Sequence, residues 1–111
     1  MNRRFRLTNS SDFQRVRRTG TSHAHPLAIL IVSSGDRGTR FGFSASRSLG
    51  NAVQRNRAKR LLREAVRRHQ PEIQGSWDAV LIARPPLLTA GWDEIEAAIG
   101  KLLRKAGIID G

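Results

Sequence analysis

The sequence predicts an α+β fold: one small domain in which helices pack on a sheet. Three observations carry this expectation. Two apolar, β-branched runs, Leu27 to Val32 and Trp77 to Arg84, are too short for buried helices and read as strands. Two longer stretches, residues 51–69 and the segment from Trp92 onward, repeat their apolar residues at helical spacing. A chain of 111 residues with 39% hydrophobic content supports a single core.

The elements follow in order. After a basic start at Arg3, Arg4 and Arg6, the segment Asn9-Ser10-Ser11-Asp12 offers helix N-caps, and Phe13, Val16 and the terminating Gly20 predict a short helix from about Ser11 to Arg18. His23-Ala24-His25 reads as a surface strand or turn, since no third metal ligand accompanies the pair. Arg40 to Ser46 alternates through Phe41, Phe43 and Ala45, and with Gly35-Asp36-Arg37-Gly38 as a turn it predicts a hairpin with the Leu27 to Val32 strand. A helix over 51–69 is free of Gly and Pro until Pro71, and Pro85-Pro86 ends the following strand. The closing helix sets Trp92, Ile95, Ala98, Ile99, Leu102 and Leu103 on one side, with acidic residues in its first turn and Lys101, Arg104 and Lys105 in its last, as the helix dipole favours. The order helix, strands, helix, strand, helix predicts a sandwich in which helices cover one face of a small sheet.

Charge points to a partner. Twenty Lys+Arg against 9 Asp+Glu give a net charge of +11, which is self-repulsive and calls for a polyanion. Residues 1–69 hold 16 basic and 3 acidic residues whereas residues 70–111 hold 4 and 6, so the binding surface belongs to the first two-thirds. Seventeen of the basic residues are Arg, whose planar fork suits phosphate and base contacts. The absence of Cys excludes disulfides and Cys-ligated zinc, and no apolar run is long enough to span a bilayer, so a cytoplasmic protein without a membrane role is expected.

On a helical wheel of residues 53–69, Ala58, Leu61, Leu62, Ala65 and Val66 fall on one side, and Asn56, Lys59, Arg60, Arg63 and Arg67 on another. Seven of the fourteen residues from Arg55 to Arg68 are basic and only Glu64 is acidic. Neighbouring cations on such a helix repel each other, and bound phosphates relieve that repulsion. A solvated surface helix would interleave acids with its bases, so nucleic-acid binding is the favoured reading.

The run from Phe43 through Ser44-Ala45-Ser46-Arg47-Ser48-Leu49-Gly50-Asn51-Ala52-Val53-Gln54-Arg55-Asn56-Arg57-Ala58-Lys59-Arg60-Leu61-Leu62-Arg63 to Glu64 resembles the signature of the bacterial ribonuclease P protein family, centred on Arg55-Asn56-Arg57. Arg6-Leu7, Asp12-Phe13, Val16 and Gly20, and later Ile82-Ala83-Arg84 followed by Pro, extend the resemblance over nearly the whole chain. It implies an α-β-β-β-α-β-α sandwich with the arginine-rich helix in a left-handed crossover, against the usual right-handed rule. It further implies a subunit of an endoribonuclease that removes the 5′ leader of precursor tRNA, with the active site and its Mg²⁺ in the catalytic RNA and no catalytic or metal-binding residue in the protein.

Carried over by position, Arg47, Asn51, Arg55, Asn56, Arg57, Lys59, Arg60, Arg63 and Arg67 become candidates for contact with the catalytic RNA. Two roles stay open for Arg55 and Asn56, which suit hydrogen bonds to loop backbone as well as to phosphate, and Asn51 also suits a helix cap. Phe13 and Arg17 are the candidates for the leader of precursor tRNA, by stacking of ring or guanidinium, with Phe13 equally suited to the core. Ser48 departs from the family, where a basic residue is common. As an independent enzyme the chain is unpromising, because Asp12, Asp36 and Glu64 are scattered in sequence. A structural RNA-binding protein, ribosomal or other, is the main alternative, and a DNA-binding module the next. No obligate protein partner is expected.

Overall fold

Asn9 opens the first helix by accepting from the Ser11 amide at 2.9 Å, which satisfies one of the N–H groups that a helix start leaves without partners. In the computed structural model, which describes residues 6–36 and 38–111, that helix is α1 (Ser10–Thr19). It leads through β1 (Thr21–Ala24), β2 (Ala28–Ser34) and β3 (Arg40–Ala45) to α2 (Ala52–His69), β4 (Trp77–Ala83) and α3 (Trp92–Lys105). Arg3 and Arg4 of the basic start and Arg37 of the expected turn lie outside the described residues.

The strand order is β1-β2-β4-β3. β1 and β2 form an antiparallel hairpin, closed by reciprocal backbone bonds between His25 and Ala28 at 3.0 and 3.3 Å, so His23 lies in an edge strand. β4 then pairs antiparallel with β2 and parallel with β3. The expected hairpin between β2 and β3 is therefore corrected: β4 lies between them. Turn residues between two apolar runs favoured adjacency, but β4 is apolar on both faces and belongs at the centre of the sheet, whereas β3 is only partly covered. A parallel β3–β4 pair needs a crossover connection, and α2 supplies it.

The helices do not share one face, a second correction. Ala28, Leu30 and Val32 of β2 and Ala79, Leu81 and Ala83 of β4 face the core built with α2 and α3, where Leu62, Val66, Ile99 and Leu103 are fully buried. The alternate residues Ile31 and Val80 face a second, smaller core with Leu7 and with Val16 of α1. Both faces of the central strands are apolar, so helices on one side alone would leave Ile31 and Val80 in water, at a cost of roughly 25 cal/mol per Å² of exposed apolar surface.

Candidate nucleic-acid interface

The loop that leads into α2 is held by its own residues. Arg47 to Leu49 form a 3₁₀ turn anchored by buried Leu49, which leaves Arg47 exposed beside the start of the helix. Gly50 follows with φ of +134°, a conformation that side chains disfavour. Asn51 and Gln54 form a capping box: the Gln54 amide donates to Asn51 Oδ1 at 3.0 Å and the Asn51 amide to Gln54 Oε1 at 2.9 Å. Arg55 reaches back and donates to the Gly50 carbonyl at 2.8 Å. Of the two roles open for Arg55, the structure realises the backbone brace, while Asn56 is exposed.

Beyond the cap, α2 buries Ala58, Leu62, Ala65, Val66 and His69 and turns Asn56, Arg57, Arg60, Arg67 and Arg68 to solvent. At 100° per residue Arg60 stands opposite the buried stripe, Lys59 and Arg63 lie on the flank toward β3, and Leu61 and Arg68 on the flank toward α3. Arg67 is engaged differently from the rest: it grips Glu64 one turn away through both carboxylate oxygens, at 2.6 and 3.3 Å. That contact holds the Glu64 carboxyl below the ordinary carboxylate range. Among the described residues no carboxylate pairs with Arg47, Arg57, Lys59, Arg60, Arg63 or Arg68.

On the β3 flank a cleft of ≈ 260 Å³ opens between α1 and α2, where residues 6 and 7 run along the outer edge of β3. Phe13, Phe43, Arg6, Lys59 and Arg63 are among its walls. The Phe13 ring lies over Gly42, where any Cβ would come within 2.8 Å of it, so the glycine makes room for the aromatic. Phe13 thus belongs both to the second core, against which it packs half-buried, and to the cleft. Arg63 sits over the Phe43 ring, 5.8 Å from its centroid, an attractive cation–π arrangement. Its Nε is buried and has no hydrogen-bond partner among the described residues. Burial, then the charges of Arg6 and Arg60, hold this guanidinium below its ordinary basicity, as expected of a cation that lacks an anion. Arg17 is exposed and does not line the cleft.

One charged centre went unseen in the sequence. Asp78 of β4 is 2% exposed and receives Arg15 of α1 at 2.7 Å and Arg40 of β3 at 3.0 Å. Burial pushes its carboxyl up, but the two arginine hydrogen bonds and charges outweigh that and hold it below the ordinary range. Asp12 adds longer contacts to Arg15 and Arg40, at 3.5 and 3.7 Å. Asp12 and Asp36, scattered in sequence, thus meet Asp78 around one recess of ≈ 530 Å³. The neighbouring arginines make this an ion-pair clamp between helix and sheet rather than an acid–base pair, and no group of three or more His, Cys, Asp or Glu among the described residues could hold a metal ion. A lone Asp inside an apolar strand was the available signal, since a buried carboxylate demands cations.

Residues 1–107 match the family model for ribonuclease P. The chain belongs to the ribonuclease P protein family. It is 41% identical to the ribonuclease P protein component of Herpetosiphon aurantiacus, over 96% of this chain and 87% of that one. It is 39% identical to that of Alkaliphilus metalliredigens, over 94% and 95%. Its fold is similar to the ribonuclease P protein structures of Staphylococcus aureus (TM-score 0.83, 30% identity, 96% of this chain and 98% of that one) and Thermotoga maritima (TM-score 0.82, 26% identity, 96% and 98%). Membership in the ribonuclease P family makes the chain a subunit of an endoribonuclease, implies an RNA partner and disfavours the ribosomal and DNA-binding alternatives. No helix among the described residues is long and apolar enough to cross a membrane.

Proposed function

We propose that this protein binds the catalytic RNA of ribonuclease P through the exposed side of α2 and its leading loop, and assists removal of the 5′ leader from precursor tRNA in the cytoplasm. The observation that carries the reading is the set of cations at Arg47, Arg57, Lys59, Arg60, Arg63 and Arg68, presented by one helix and its loop with no carboxylate among the described residues to neutralise them. Phosphates would supply the missing counter-charge and release condensed ions on binding. Arg67 contributes once it exchanges Glu64 for phosphate, while Asn51 and Arg55 act by holding the loop and Asn56 adds an exposed amide.

The leader is assigned to the cleft beside α1. There Phe13 and Phe43 offer ring faces to an unpaired base and Lys59 and Arg63 offer charge to its phosphate. Arg17, exposed on α1, joins the leader contacts from outside the cleft in this reading. Mg²⁺ belongs to the RNA in this reading. Asp12, Asp78 and Glu64 are engaged with arginines, and the protein's part in this reading is charge, stacking and shape.

The test is cleavage of a 5′-extended precursor tRNA by a bacterial ribonuclease P RNA at low Mg²⁺, with and without this protein. Cleavage at the mature 5′ end that appears only with the protein supports the reading. Tight RNA binding without stimulation refutes the assisting role and leaves a structural RNA-binding protein.

A further inference from the structure

The flank of α2 that faces α3 carries a second hollow, of ≈ 330 Å³, lined by Arg60, Leu61, Glu64, Arg68 and Trp92. Trp92 is the first residue of α3; half-buried, it packs against the main core and also lines the hollow. Leu61 is the other apolar wall. Arg60 and Arg68 stand at this site with no carboxylate partner among the described residues, and Glu64 is already engaged by Arg67. Asp93 and Glu94 follow Trp92 in the first turn of α3. The hollow thus sets the cations of α2 against the ring of α3.

We propose that this hollow seats an unpaired nucleobase of the catalytic RNA on the indole of Trp92, with Arg60 and Arg68 on the adjoining phosphates. The inference rests on the reading that α2 binds that RNA, and it extends the interface around the helix to α3. An aromatic face beside arginines is the chemistry by which proteins hold single-stranded nucleotides, because every base has a π-face and each phosphate needs a cation. The ring on α3 and the arginines on α2 give the nucleotide one orientation, base toward α3 and backbone toward α2. The site lies on the opposite flank of α2 from the Phe13 cleft, so the two can be filled together.

The experiment titrates the full chain, in a Trp77→Phe background that leaves Trp92 as its only tryptophan, with a bacterial ribonuclease P RNA. Trp92 emission is quenched as the RNA saturates. In the otherwise native chain, Trp92→Leu weakens RNA binding by about ten-fold at every salt concentration with an unchanged salt slope, as lost stacking does, whereas Arg68→Ala flattens the slope by about 0.7 to 0.9. Trp92→Phe, which keeps both a ring and the core contact, restores most of the affinity and guards against a folding defect. Unquenched emission, or wild-type affinity for Trp92→Leu, overturns the proposal. So does Trp92 emission that changes with protein concentration alone, which would make this face a contact between copies. Arg47→Ala, in the loop before α2 and outside the lining of the hollow, separates the two failures: if it weakens binding while Trp92→Leu does not, only the Trp92 site falls, and if neither matters the α2 reading falls with it.

Discussion

Charge removal along α2 should not act uniformly, and the differences follow from what each side chain does in the free protein. Arg57 and Arg60 are exposed and have no carboxylate partner among the described residues, so each is free to exchange counterions for phosphate. Replacement of either by Ala lowers the slope of log affinity against log salt by about 0.7 to 0.9. Between 50 and 200 mM salt, a slope change near 0.8 alters the ratio of the two affinities by about three-fold, within reach of a fluorescence-anisotropy titration. Arg67 starts from the Glu64 pair at 2.6 Å, so its contact with phosphate competes with a carboxylate. Glu64→Gln therefore tightens RNA binding and steepens the slope. Arg55 is occupied by the Gly50 carbonyl, and Arg55→Ala loosens the loop while leaving the slope nearly unchanged. Equal slopes for Arg55, Arg57 and Arg60 variants, or no effect of Glu64→Gln, would refute the division of labour drawn from these contacts.

Four further outcomes test the fold. Asp78→Ala leaves Arg15 and Arg40 without their common anion; full burial of such a pair would cost about 3 to 5 kcal/mol, and access of the arginines to water reduces this to about 2 to 3, a fall in melting temperature of about 10 °C by calorimetry. Because the folded Asp78 carboxyl is held below its unfolded value of 3.8, its contribution is complete above that pH and is lost as pH falls through the folded value, so acid unfolding of Asp78→Asn is shallower below pH 4. His25 is lowered by burial, then by Lys101 and Lys105; its contribution is complete above the unfolded value of 6.5 and is lost as pH falls through the folded value, and His25→Gln removes that early loss from a urea series taken between pH 7 and 5. Asn51→Ala opens the capping box and costs about 1 kcal/mol in the same denaturant assay.

Much of the fold was legible because hydrophobic period reports burial. Ala58, Leu62, Ala65 and Val66 repeat at helical spacing and form the buried stripe of α2, and the closing helix places Ile95, Ile99 and Leu102 as its spacing predicts. Strand pairing was less legible, since period says which residues are buried but not which strand lies beside which. The turn residues after Ser34 suggested a hairpin, yet the strand with apolar residues on both faces took the place next to β2. The same two-faced pattern in β2 and β4 held the clue that α1 would cover the far side of the sheet. A similar limit applies to polar centres: Arg15, Arg40 and Asp78 are far apart in sequence and meet only because α1 crosses the sheet where β3 and β4 are paired.

The helix at the centre of the proposed interface shows why composition alone could not assign roles. Its wheel divides apolar from basic, but the basic residues differ in what the surrounding elements leave them to do. Lys59 and Arg63 turn toward β3, where the aromatics of that strand and of α1 convert charge into a cleft. Arg68 turns toward α3, where Trp92 offers a second ring. Arg60 stands between them, and Arg55 and Arg67 are held by protein partners. A bare cationic helix would bind any polyanion. Selectivity for folded RNA requires that charge be set against ring faces at defined places, and here the strands and the third helix on either side of α2 provide them, which is why binding through this helix should respond to aromatic as well as to basic substitutions.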